Sequence, residues 1–319
     1  MTALTAKTRR LPRVGRLRLT GLLPKSRLAL LVIVVVFIFY GIMLWYPILD
    51  QFSMSFHRGL TLKRTFVGDM QFQRLARDRA FNNAVGVTLR YVLMVVPATT
   101  ILGLLLAAVL NSFKNITTRT LLVSLFFLPH IVPLAAAATF WKTLLAPTSN
   151  GVLNGILHVF GLPTSRWLLS AETSLLSLAL VAVWGGIGYA MLLLLAGMQT
   201  IPDMFYEAAA IDGASAWQRL RKITVPLLMP SIAFVVVILT FGGLMMFEPV
   251  YIMTGGQVSH EDKGGPAGST STVIWLIYQQ GLQNFKQGYA ASVAVIWFFV
   301  MLALGLIQFW FFSRRRVSY

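Results

Sequence analysis

Cysteine is absent from the 319 residues, which excludes disulfides, thiolate metal sites, iron–sulfur clusters and a cysteine nucleophile together. Charge is scarce as well: Asp, Glu, Lys and Arg make up 12% of the chain, against about 25% in soluble domains. An ordinary soluble enzyme does not have this composition. The four histidines, at 57, 130, 158 and 260, include no i, i+4 pair, so no helix presents two imidazoles to one metal ion. Acidic neighbours occur only in His260-Glu261-Asp262, where consecutive side chains point apart; that triplet reads as a solvated turn. No Gly-x-x-x-x-Gly-Lys-Ser/Thr occurs, and the glycine-rich stretch from Gly255 to Ser269 has its one lysine, Lys263, followed by glycine. A phosphate cradle is therefore not expected on this chain.

What the sequence does have is apolar length. Hydrophobic residues are 57% of the total and fall in blocks of about 20, enough to cross a hydrocarbon core of about 30 Å. Six spans are expected, at about 28–49, 91–110, 120–141, 174–198, 227–247 and 289–312, and none carries an internal charge. The first exceeds the usual apolar run of a signal peptide, and no small-x-small site follows it, so it reads as an uncleaved anchor. An even number of spans puts residues 1–27 and 313–319 on one side. With both in the cytoplasm, that side holds 16 of the 27 basic residues and three of the ten acids, a net +13 against +4 outside. The net charge of +17 thus reads as topology and contact with anionic lipid, and no nucleic-acid partner is expected.

The inner segment 199–226 differs from the other links. Pro202 and Asp203 open a short helix, Gly213 closes it, Ser215 caps a second, and Pro226 restarts the chain as a span. Within it, Glu207-Ala208-Ala209 is followed after three residues by Gly213, and after nine more by Ile223-Thr-Val-Pro226. This resembles the coupling loop of ABC-importer permeases, with Val225 where leucine is usual. Tyr206, Trp217 and Pro230 in the flanking text, Leu128-Pro129, Gly151 and Asn154 earlier, and Thr254-Gly-Gly256, Ser269-Thr270 and Gly288-Tyr289-Ala290 later are similar to the carbohydrate-type permeases. They are most like the first permease of maltose- or glycerol-3-phosphate-type systems. Val87, where asparagine is common, and Glu248, where aspartate is usual, depart from that pattern.

The resemblance implies an all-α membrane protein with the type I ABC importer permease fold, in a bacterial or archaeal cytoplasmic membrane. It implies a 1–27 arm, a 28–312 permease domain and a 313–319 tail, with no catalysis on this chain. Its partners would be a second homologous permease, a cytoplasmic ATPase dimer carrying ATP and Mg, and an extracytoplasmic solute-binding protein. Coupling to the ATPase would fall to Glu207, Ala208, Ala209, Asp212, Gly213, Ile223 and Pro226. The alanines would allow close approach, and Gly213 the left-handed turn.

A pathway needs polar or aromatic groups facing the bundle interior. Trp184, Gly185, Gly186 and Tyr189 in the fourth span, and Gly243, Phe247, Glu248 and Tyr251 at the end of the fifth, are the candidates. Aromatic faces beside glycines suit the C–H face of a sugar ring, although the same glycines would serve close helix packing. The solute expected from the resemblance is a sugar, an oligosaccharide or a glycerol-phosphate-like molecule. The alternatives are an ABC permease for another solute or an ion-coupled carrier. The second would want embedded ionisable residues or internal repeats, and no repeat of fixed period is visible.

Overall fold

The computed structural model describes residues 27–60, 63–148, 151–255 and 264–313. Most of the basic arm, the charged tail from 314 on, and His260-Glu261-Asp262 lie outside them. The chain divides into two units between Asp50 and Gln51. The first helix, α1, is Ala29–Met54, with a π-helical turn at Gly41–Trp45. All the other elements belong to the second unit.

That unit is built on long apolar helices: α3 (Arg79–Asn111), α7 (Ser174–Met198) and α13 (Gln287–Ser313). Together with α1, these are long and apolar enough to cross a bilayer singly. The helix α3 starts twelve residues before the expected span. Its first turn is capped by Asp78, whose Oδ1 accepts from the Ala80 N–H at 2.7 Å. At 33 residues it is about 50 Å long, more than a bilayer core needs, and it includes Arg90, whose Nε donates to the Gly86 carbonyl at 3.1 Å. Hydropathy finds only the apolar part of such a helix. Small residues bring α3 onto α7: a Cβ on Gly103 would lie 2.8 Å from that of Ala190.

One of the expected spans is broken, and another is entered through a corner. The third consists of α4 (Ile116–Ile131), capped by Asn115, and α5 (Leu134–Leu144), which meet at 90°. Pro133 explains the corner: its ring disfavours helical backbone at the preceding residue, and Val132 is extended, at φ −65°, ψ 128°. The expected fifth span, 227–247, corresponds to α10 (Met229–Leu244); α9 (Ala216–Leu227), from the segment read as the inner loop, meets it at 73°. Pro226 therefore does not restart a span, as its sequence context suggests; it lies inside α9, and the new direction begins at Met229-Pro230. Leu228, at the corner, is buried. Against it and Ser231 lies Gly197 of α7, where a Cβ would be 2.7 Å from Leu228 Cδ1.

The outer links hold more structure than their composition suggests. A β-hairpin, β1 (His57–Leu60) with β2 (Lys63–Phe66), pairs His57 with Phe66 in antiparallel register, and α2 (Met70–Ala76) follows it. The hairpin rests on the start of α13, where a Cβ on Gly288 would run into the His57 carbonyl. Between α5 and α7 lies α6 (Val152–Val159). There the buried Asn154 ties the link together, accepting from Ser165 N at 3.0 Å and Trp167 Nε1 at 2.8 Å while donating to the Ser165 carbonyl at 3.0 Å. After α10 come α11, a π-helical turn at Val250–Thr254, and α12 (Val273–Tyr278). Thr272 anchors α12, donating to the Met246 carbonyl at 3.0 Å, and Thr88 of α3 accepts from Val273 N at 3.1 Å.

Candidate functional site: a coupling surface and a central cavity

The segment after α7 forms α8 (Met204–Ile211), then reverses and enters α9. The reversal is a Schellman closure: Ala214 N–H bonds to the Ala209 carbonyl at 2.9 Å and Gly213 N–H to that of Ala210 at 3.1 Å, with Gly213 at φ +73°. Ser215 and Gln218 then form a capping box, Gln218 Oε1 accepting from Ser215 N at 2.7 Å. Tyr206 and Thr224 join the two short helices through hydroxyls 3.1 Å apart. Glu207, Ala208, Asp212, Gly213 and Pro226 are exposed, and Ile223 is half-buried. Ala209 is the exception to the sequence reading: at 9% exposure it faces the chain's own interior, so only Ala208 is presented outward. Apolar residues stand around Glu207 in solvent, Met204 at 66%, Trp217 at 63% and Ile211 at 87% exposure. Large apolar side chains left exposed on short helices closed by the Gly213 turn and the Ser215 cap have the character of a docking surface.

Apart from these short helices, a cavity of about 660 Å³ lies between α3, α4, α5, α7 and α10. Trp184, Gly185, Gly186, Tyr189, Gly243, Phe247 and Glu248 all line it. Tyr251 does not. Its ring stacks on Phe247 at 5.6 Å and meets Tyr278 edge-on, in an aromatic cluster with Trp275 behind the wall. Val87 is buried away from the cavity. The volume falls in the range of small-molecule sites, roughly 300 to 1,000 Å³.

The glycines divide by what faces them. A Cβ on Gly188 would collide with the Phe126 carbonyl and lie 2.9 Å from Phe127 Cα, so this glycine seats α7 on α4. A Cβ on Gly185 or Gly242 would meet nothing within 4 Å. Those two glycines open into the cavity and are not demanded by packing. Gly186 lies between the cases, with Thr99 Cγ2 at 3.1 Å, and Gly243 packs on Val92 at 3.0 Å.

One cavity residue escaped the sequence reading. The α4–α5 corner places His130 on the wall, its ring stacked on Tyr189 with centroids 4.6 Å apart and planes at 14°. Its Nδ1 lies 3.2 Å from the Gly185 carbonyl. Paired histidine spacing is a metal signal and does not bear on a lone ring; Pro129 and Pro133, which turn the chain here, were the available pointer.

Comparison with known proteins agrees with this architecture. Residues 99–317 match the family described as binding-protein-dependent transport system inner membrane component. The trehalose/maltose transport system permease protein of Thermococcus litoralis is 31% identical over 283 residues, 88% of this chain and 90% of its own length. The arabinooligosaccharides transport system permease protein of Bacillus subtilis is 31% identical over 82% of this chain and 81% of its own. In fold, the chain is similar to the crystal structure of a bacterial ABC transporter involved in import of the acidic polysaccharide alginate, with a TM-score of 0.78 at 24% identity, covering 90% of this chain and 95% of that one. The family model covers more than half of the residues, and the chain therefore belongs to the inner-membrane permease components of binding-protein-dependent transport systems, with the type I ABC importer fold.

Proposed function

We propose that this chain is one of two permeases of an ATP-driven importer for a sugar or oligosaccharide. The cavity carries the reading: residues from the fourth and fifth spans surround a space of saccharide size, with aromatic rings and two glycines that packing does not require. The names of the relatives, which concern trehalose, maltose and arabinooligosaccharides, support the same solute class. A partner ATPase dimer would bind ATP and Mg and dock on the Glu207 surface, and an extracytoplasmic binding protein would deliver solute to the opposite end. Membership of this family removes the ion-coupled carrier as an alternative.

The open glycines provide the test. Gly185→Leu should leave the fold intact, since leucine favours helix over glycine by roughly 0.5–1 kcal/mol and its side chain meets only cavity. Uptake of the native solute should fall at least about tenfold because the side chain occupies solute volume. Unchanged uptake, with the variant present at normal levels, would remove the cavity from the pathway.

Orientation follows from charge and grooves together. The Asn111–Arg119 link and the start of the coupling segment share a polar groove lined by Lys114, Arg119, Asp203 and Tyr206, while Met229 and Ser313 border one apolar groove. We place all these groups, with both ends of the chain, in the cytoplasm. Single cysteines at 114 and 219 should resist an impermeant maleimide in intact cells, whereas one at exposed Arg166 should react. Labelling at 219 from outside would reverse the topology.

A further inference from the structure

The cavity wall has a definite charge. Of its lining residues, Tyr91, His130, Tyr189 and Glu248 are titratable, and Glu248 is the one carboxylate; no lysine or arginine is among them. The cations of neighbouring elements are engaged elsewhere. Lys142 of α5 donates through Nζ to the Ile252 carbonyl at 3.1 Å, and Arg90 of α3 donates to Gly86. Glu248 is exposed at the cavity, and with no cation among the lining residues to offset it, its charge disfavours an entering anion.

His130 adds a second polar atom of defined character. The Gly185 carbonyl can only accept, so Nδ1 carries the ring proton, and in the neutral imidazole Nε2 holds a lone pair. No described group takes Nε2. Stacking on Tyr189 fixes the plane of the ring. The wall thus offers hydrogen-bond acceptors at Glu248 and at His130 Nε2, and Tyr189 also lines it. Hydroxyl protons of a neutral sugar match that set, whereas a carboxylate or phosphate, which brings charge and further acceptors, does not.

We propose that the cavity selects uncharged saccharides: Glu248 rejects anionic sugars, and His130 accepts a solute hydroxyl through Nε2. The proposal rests on the carbohydrate reading and narrows it, setting aside uronates and glycerol phosphate. His130 is then a specificity-determining residue, held in register by the Gly185 carbonyl and the Tyr189 ring.

The test uses the assembled transporter in lipid nanodiscs without its binding protein, so that the latter's selectivity does not enter. Binding of maltose, digalacturonate and glycerol 3-phosphate is followed by saturation-transfer NMR. Wild type should bind maltose and neither anion. Glu248→Gln, which keeps shape and loses charge, should raise the ratio of digalacturonate to maltose binding by about tenfold or more. His130→Phe, which keeps the stack, should weaken maltose binding about tenfold and leave the ratio between the sugars where it was, with His130→Gln recovering part of the loss. Equal binding of maltose and digalacturonate by wild type, or a ratio indifferent to Glu248→Gln, overturns the proposal. Binding of glycerol 3-phosphate but of neither sugar by wild type overturns the carbohydrate reading itself, and the proposal with it.

Discussion

Replacing Gly213 by valine is expected to abolish solute-stimulated ATP hydrolysis and uptake while the chain still reaches the membrane at normal levels. Gly213 has φ +73°, and a Cβ there would meet nothing within 4 Å, so the penalty is entirely one of backbone conformation. Left-handed backbone costs an ordinary residue about 1–2 kcal/mol and a β-branched one more, enough to unseat the Schellman closure that aims α8 at its partner. The series should be graded: asparagine near wild type, alanine intermediate, valine inactive. Glu207→Ala should lower coupled activity at least about tenfold through loss of a charge-assisted contact with the ATPase, without affecting the fold, since Glu207 is exposed. Uptake that stays tightly coupled in both Gly213→Val and Glu207→Ala would dissociate this loop from ATPase docking.

A second large effect is expected three residues beyond Gly185. Gly188→Ala inserts a methyl against the Phe126 carbonyl, where neither helix backbone can give way locally, and overpacking of this kind costs roughly 1–3 kcal/mol. Gly188→Leu should leave little folded chain. The informative comparison is with Gly185→Ala on the same helix, which should match or exceed wild type in thermal stability by fluorescence-detected size exclusion. Equal melting of the two alanine variants would mean that α4 does not seat on α7 at Gly188.

These two glycines show where the sequence stops being informative. Gly185 and Gly188 share a helix and a composition, and they differ only in what a distant segment brings against them. Local signals fared better where the cause was local. Gly213's positive φ and the Ser215 cap follow from residue type and spacing, and both are present in the structure. The break at Val132 had its proline in plain view, but unbroken apolar composition on either side made the pair look like one span, whereas the corner at Leu228 falls where the expected fifth span begins. The hairpin at His57–Phe66 left no pattern, because its two four-residue strands, with three basic side chains and no acid, show no alternation and its register depends on packing against α13. The polar first turns of α3 were invisible to hydropathy for a related reason: their stability comes from Asp78 and from neighbours such as Val273.

The corner at Leu228 has a mechanical consequence. From Ala216 to Leu227 the chain is helical for about 18 Å, with a π-helical turn at Leu220–Thr224; one end adjoins the segment proposed to dock and the other is pinned by Leu228 and Ser231 against Gly197. It is a lever with its fulcrum on α7. Because α10 leaves the corner at 73°, a stroke along α9 reaches α10 mostly as a sideways thrust, and the far end of α10 carries Gly242 and Gly243 on the cavity wall. If a partner docks at the Glu207 surface as proposed, a movement there would be geared into a change of cavity width, with no need for any span to slide along its own axis.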